Sequence, residues 1–177
     1  MRKIKNVFLI PLFLSVLISI MALSDEKPQI AILQFTNNVT NVEWWSDASP
    51  VDLQDSLVTA LNDNPTIENY TFTKIDHAIH EDDLLKGPHA KAFETLKAKS
   101  YREERAMIVC NITNYDAKSS VLNFSFTLID PSEFTILKRM DIQFDLPEGR
   151  KLFGEDCSKA NYITNMVSAV SELITEL

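Results

Sequence analysis

Two consecutive stretches in the C-terminal half alternate between apolar and polar residues, and they restrict the fold more than any other feature of the chain. The first runs from Leu122 to Leu128 and the second from Phe134 to Leu146. Asp130 to Glu133 lies between them and has the composition of a turn. The pattern predicts an antiparallel hairpin with one face on a core and the other in water. Only Leu137 and Lys138 interrupt the alternation.

Three further strands are predicted upstream of this hairpin. The stretches Pro28 to Phe35 and Ala106 to Ile112 are almost continuously apolar, which is typical of strands buried on both faces. A third stretch, Glu68 to Ile75, carries aromatic residues on one face. Because buried strands occur beside a hairpin that is wet on one side, the sequence predicts a mixed sheet.

The first helix has a recognisable start. Ser49 can cap it, Pro50 suits the first helical position, and Asp52 can close a capping box. A broad apolar stripe follows, and Asn64-Pro65 ends the helix.

Three other helices are predicted, and together with the strands they define the fold class. They are a short helix capped by Asp76 and ending at Leu85, a helix from Ala90 to Tyr101, and a strongly amphipathic helix at about Lys159 to Leu177. We therefore predict an α+β fold in a single domain. A mixed β-sheet of about five strands contains the long antiparallel hairpin, and helices pack on it, including the C-terminal amphipathic helix.

The first 24 residues have the three parts of a secretory signal peptide. Basic residues precede an apolar run from Val7 to Met21, and Ala22 to Ser24 supplies small residues for cleavage before Asp25. The run is shorter than the roughly 20 residues that a membrane-spanning helix needs. We predict a cleaved signal peptide at residues 1–24 and a domain at residues 25–177. The mature chain is expected in the periplasm or secreted, without stable membrane insertion.

Charge and cysteine content narrow the function classes. The formal net charge of −8 at pH 7 would repel a phosphate backbone, so nucleic acid is not an expected partner.

Cys110 and Cys157 make an even count in an oxidising compartment, which favours a disulfide; the alternative is two free thiols. Neither cysteine has a histidine nearby in the sequence, and no catalytic motif is present. We expect no enzyme activity.

The order of elements resembles that of the envelope domains related to CsgG, to the penicillin-binding-protein activator LpoB, and to the TolB N-terminal domain. The matching stretches are Ile30 to Asn37, Leu53 to Leu61, Phe72 to Leu85, Ala106 to Ile112 and Leu128 to Ile136. The resemblance implies a non-catalytic binding or assembly role in the cell envelope. No extra amphipathic strands suggest pore hairpins like those of CsgG.

Trp44 and Trp45 are the first candidates for a functional site. Adjacent tryptophans in a polar loop offer a large, stiff contact area, and tryptophan is enriched at binding hot spots. Glu43 and Asp47 would form a polar rim around them. The alternative is that the rings fold back and cover the end of the core beside the first helix.

His77, His80 and Glu81 form a weak candidate metal site. On the predicted helix the two histidines are three residues apart and share a face, with Glu81 adjacent. The spacing matches no established zinc signature, and a solvated helix face is the favoured interpretation, so no metal or cofactor is predicted.

These features predict a non-catalytic, soluble protein-binding or assembly module of the bacterial cell envelope. It would recognise another envelope protein through the Trp44-Trp45 end. The alternative is a periplasmic protein that binds a small ligand or metal near His77 and His80. The identity of the partner and the oligomeric state stay open at this point.

Overall fold

The computed structural model describes residues 26–38, 49–86, 91–98, 104–116, 121–145, 159–175 and 177. The strands in these ranges are β1 (Gln29–Gln34), β2 (Thr36–Asn37), β3 (Thr71–Ala78), β4 (Ala106–Asp116), β5 (Val121–Asp130) and β6 (Thr135–Asp145). The helices are α1 (Pro50–Asn62), α2 (Glu81–Leu85), α3 (Lys91–Ala98) and α4 (Lys159–Leu173). The predicted α+β class is confirmed.

A single mixed sheet contains all the strands of the described residues. Its order is β3-β1-β4-β5-β6, and β2 continues beside β4 beyond the end of β1. β1 is parallel to both β3 and β4, so that Ile30 lies between Phe72 and Ala106. β4, β5 and β6 are antiparallel to one another, as the alternating sequence predicts. The sheet is therefore parallel at one end and antiparallel at the other.

α1 and α4 cover one face of the sheet. Leu53, Leu57 and Leu61 of α1 and Met166, Val170 and Leu173 of α4 are buried against apolar side chains from β1, β4 and β5. α1 starts where the sequence predicts, with Ser49 as N-cap, Pro50 in the first turn and a capping box closed by Asp52. No helix among the described residues is both long and apolar enough to span a bilayer.

α2 and α3 cover the opposite face near the centre of the sheet. Leu84 of α2 and Phe93 and Leu96 of α3 are buried in a second apolar cluster with side chains of β1, β3 and β4. Phe134, in the turn between β5 and β6, also belongs to this cluster and lies 5.4 Å from Phe93 between ring centroids. Its φ of 54° is unusual for a residue other than glycine, and the buried ring contact holds it there.

The prediction that the hairpin is wet on one face is wrong for β5. Ser125 and Thr127 of β5 are fully buried, although they occupy the polar positions of the alternating pattern. β5 is an inner strand between β4 and β6, and the second apolar layer reaches it at Ile129. The expected exposure is found on β6, where Arg139 and Asp141 face solvent.

The prediction of a helix beginning at Asp76 is also wrong. β3 extends through Asp76 to Ala78, and α2 begins only at Glu81, with His80 as its N-cap residue. The reason is pairing with β1, because Gln34 is in register with Ala78. Hydrogen bonds of the sheet outweigh the weak local preference of Asp76 for a helix cap.

Candidate functional site

The predicted contact residues Glu43, Trp44, Trp45 and Asp47 lie outside the described residues. The structure does describe the two positions where their segment joins the fold, Asn38 and Ser49. Hydrogen bonds hold both of these positions.

The Asn38 end is held against β4. Thr36 and Asn37 of β2 pair with Asn111 and Ile112 of β4, and the backbone N–H of Asn38 donates to the carbonyl oxygen of Ile112 at 3.0 Å. The hydroxyl of Thr36 donates to the side-chain oxygen of Asn111, and both side chains are buried. Backbone pairing and a buried side-chain bond together fix this end.

The Ser49 end is held by the first turn of α1. The Ser49 hydroxyl accepts from the backbone N–H of Asp52 at 3.0 Å, and the Asp52 carboxylate accepts from the backbone N–H of Ser49 at 3.1 Å. Such a reciprocal cap satisfies two backbone donors at the helix start. The direction in which the chain enters α1 is thereby fixed.

Gln54 joins this helix start to the sheet. Its side-chain nitrogen donates to the carbonyl oxygens of Ile32 on β1 at 2.8 Å and Ile75 on β3 at 3.0 Å. The pairing register between β1 and β3 shifts just beyond this point, after Leu33. Gln54 is completely buried, so it bridges two strands at the place where their own ladder becomes irregular.

Aromatic side chains pack together next to the Asn38 end of the segment. Phe35 is only 2% exposed and packs edge-on against Phe124 at 6.4 Å and Phe126 at 6.3 Å between ring centroids. Edge-to-face contacts between aromatic rings stabilise the fold beyond the effect of burying their apolar surface. The backbone that leads into residues 39–48 therefore starts from a closely packed part of the core.

Some buried polar atoms near this site have no hydrogen-bond partner in the described part of the chain. They are the side-chain oxygen of Gln54, the side-chain nitrogen of Asn111 and the hydroxyls of Ser125 and Thr127. Asn111 and Ser125 are directly opposite each other on β4 and β5. A buried polar group in this state costs stability, so these positions are sensitive probes of the local packing.

The weak candidates for a metal site, His77, His80 and Glu81, are placed differently from the sequence prediction. His77 lies in β3 and His80 precedes α2, so the argument that they share one helix face is wrong. Glu81 is the first residue of α2. The described residues hold no group of three or more histidine, cysteine, aspartate or glutamate side chains placed to bind a metal.

Cys110 is fully buried on β4, and no disulfide joins it to another cysteine within the described ranges. Burial raises the pKa of the Cys110 thiol far above its usual range, so the reactive thiolate is strongly disfavoured. Cys157 lies outside the described residues. The bridge between the two cysteines therefore stays a prediction.

Sequence reasoning missed the residues that hold the site in place. Gln54 has a detectable signal, because it stands on the apolar stripe of α1 at the spacing of Leu57 and Leu61. The sequence signal for Thr36 and Asn111 is weaker, because its only sign is that Asn111 is a single polar residue within an apolar run. Their mutual contact spans 75 positions and requires the topology to be known.

No protein-family model matches the sequence, and no curated protein sequence matches it either. Solved structures do resemble it. The PelC dodecamer from Paraburkholderia phytofirmans is 11% identical, with a TM-score of 0.46 over 81% of this chain and 86% of that chain. Lipoprotein GNA1162 from Neisseria meningitidis is 15% identical, with a TM-score of 0.44 over 84% of this chain and 96% of that chain.

TolB from Acinetobacter baumannii is 14% identical, with a TM-score of 0.45 over 85% of this chain and 29% of that chain. The chain thus spans under a third of that TolB. TM-scores below 0.5 at these identities assign neither a family nor an activity to the chain. The resemblance to CsgG and LpoB stays a prediction.

Proposed function

We propose that this protein is a non-catalytic binding or assembly module of the bacterial cell envelope, periplasmic or secreted, which recognises another envelope protein. Trp44 and Trp45 make the central contact, and Glu43 and Asp47 form its polar rim. The observation that supports this proposal most directly is the anchoring of the segment. Asn38 is bonded to β4 at one end and Ser49 is locked in a capping box at the other.

Fixed ends favour recognition for a thermodynamic reason. Ordering a loop on binding costs conformational entropy, and a loop whose ends already belong to a rigid scaffold has less of it to lose. Here the scaffold consists of the Gln54 bridge on the α1 side and the Phe35 ring contacts on the β1 side. Binding residues are commonly presented in this way, on loops held by rigid elements.

The charge of the chain suggests the character of the partner. The formal net charge of the full sequence is −8, and two of its acidic residues, Glu43 and Asp47, flank the tryptophans in the sequence. An acidic rim accelerates association with a basic surface and repels other acidic proteins. We therefore expect a partner with a basic patch around an apolar pocket, and association that slows as salt is added.

The test compares the chain from Asp25 onward with a Trp44→Ala/Trp45→Ala variant as baits in envelope extract of the source organism. A retained protein is identified by mass spectrometry, purified, and titrated against both baits by calorimetry. We expect binding by the unaltered chain and at least about a hundredfold weaker binding by the variant, as for two hot-spot side chains.

Ile136→Ala is the matched control. It also removes a large exposed side chain, 47% accessible, but on β6, the last strand of the sheet order. The control should bind like the unaltered chain, and circular dichroism should show all three proteins folded. Equal binding by the tryptophan variant, or no specific protein retained by any bait, would reject the proposed site.

A further inference from the structure

β6 is the last strand in the sheet order, and no described strand pairs with its outer side. It is 11 residues long, Thr135–Asp145, so an extended row of backbone N–H and C=O groups faces outward. Such an edge can pair with the strand of another molecule. The side chains of β6 indicate which molecule that would be.

An apolar row on β6 is only half covered by α4. Met140, Ile142 and Phe144 pack against the core, yet each keeps part of its surface accessible. They line a groove of about 370 Å³ whose other wall is α4, which contributes Ala169 to the lining. A sheet that continued beyond β6 would cover the open side of this row.

The opposite face of β6 carries a charge pattern that is complementary to itself. Arg139 and Asp141 are both exposed, and the guanidinium contacts the carboxylate at 3.0 Å within the strand. When two copies of one strand pair antiparallel around a two-fold axis, the residue on the axis lies opposite the same residue of the other copy. A residue that precedes it by a given number of positions lies opposite the residue that follows it by the same number. An axis through Met140 therefore places Arg139 of each copy opposite Asp141 of the other.

We propose that two copies of this chain associate through β6, antiparallel, around a two-fold axis at Met140. Axes through Lys138, Arg139 or Asp141 would set two identical charges directly opposite each other, which is destabilising. An axis through Ile142 would separate Arg139 from Asp141 of the second copy and place it opposite Asp145, so that opposite charges would meet only at the two ends of the pairing. The Met140 register is the one in which both ion pairs form at the centre of the interface.

A β-bulge at Leu137 of β6 limits the length of the pairing between the two copies. Relative to β5, Lys138 pairs with Leu128 but Ile136 pairs with Ile129, so Leu137 is an extra residue on β6. Leu137 and Lys138 are the two residues that break the sequence alternation, and the bulge explains why. Regular pairing therefore runs from Lys138 to Ile142 in each copy. Pairing around the two-fold axis uses the free edge of β6 in both copies, so no third copy can add at this edge and the assembly is a dimer.

Charge reversal tests the interface directly. Analytical ultracentrifugation of the chain from Asp25 onward should show a reversible dimer. Arg139→Asp and Asp141→Arg should each raise the dimer dissociation constant at least about tenfold, because each creates two like-charge contacts per dimer. The double variant Arg139→Asp/Asp141→Arg should restore dimerisation, since the pattern is merely exchanged. This rescue excludes simple misfolding.

Cysteine substitution tests the register. Directly opposite residues have Cα atoms close enough for a disulfide, so Met140→Cys should form an intermolecular bridge under mild oxidation, mapped by mass spectrometry to a 140–140 peptide. Ile142→Cys is the matched control and should not bridge. A monomeric unaltered chain, undiminished dimers in both single charge variants, or bridging at 142 instead of 140 would overturn the proposal.

Discussion

The side-chain nitrogen of Gln54 lies 2.8 Å from the carbonyl oxygen of Ile32, although the two residues are 22 positions apart and belong to different elements. The same nitrogen reaches the carbonyl oxygen of Ile75 at 3.0 Å. One side chain thus ties the start of α1 to two parallel strands. Because all three groups are buried from water, the bonds have no solvent substitute.

Replacing Gln54 by leucine should therefore destabilise the fold. The change keeps a similar volume but removes the donor from two buried carbonyl oxygens, at a cost of about 1–3 kcal/mol in the free energy of unfolding. Urea unfolding followed by circular dichroism measures it. Thr59→Ala, at an exposed position on the same helix, is the control and should change stability by less than about 0.5 kcal/mol. A Gln54→Leu variant as stable as the control would show that the bridge contributes nothing.

Thr36→Val should also destabilise the fold, by about 1–3 kcal/mol. The valine has nearly the same shape as threonine but cannot donate to Asn111, whose side-chain nitrogen already has no partner within the described residues. The same unfolding measurement applies. Thr36→Ser keeps the hydroxyl and should recover part of the loss. If the valine and serine variants were equally stable, the hydroxyl would not be the cause.

The local structure around α1 could be predicted from the sequence because its signals are short-range. Ser49, Pro50 and Asp52 lie within one turn and form the cap that their spacing predicts. The alternation at Leu122 to Leu128 likewise predicts a strand without reference to the rest of the chain. Periodicity within one element, and contacts between near neighbours, are readable before the fold is known.

Contacts between distant elements could not be predicted in the same way. The burial of Ser125 depends on the position of β5 inside the sheet and on the second apolar layer, neither of which its own strand encodes. The extension of β3 to Ala78 depends on pairing with Gln34. The Trp44-Trp45 site stays a prediction, because residues 39–48 lie outside the described ranges.

Cys110 should be inert in the folded protein. It is fully buried, and burial raises the pKa of its thiol, so the thiolate that reacts with iodoacetamide is nearly absent. Mass spectrometry should find this residue unlabelled under native conditions and labelled after unfolding in concentrated guanidinium chloride with a reductant. Labelling of the folded protein would contradict the burial. Labelling that needs a reductant after unfolding would reveal the bridge to Cys157.

Asp130 should contribute to stability in a pH-dependent manner. Its carboxylate accepts from the hydroxyl and the backbone N–H of Ser132, both at 2.7 Å. These bonds, with a smaller contribution from the charge of Arg105, lower the pKa of Asp130 in the folded state. A lowered folded-state pKa means that the stabilisation is complete above the unfolded pKa of about 4 and disappears as pH falls through the folded value.

Comparison with Asp130→Asn isolates this effect from the other carboxylates. The difference in unfolding free energy between the unaltered chain and the variant should be largest near neutral pH and should shrink below about pH 4. Urea unfolding at a series of pH values measures the difference. A difference that stayed constant or grew toward acid pH would mean that folding does not favour the ionised form of Asp130.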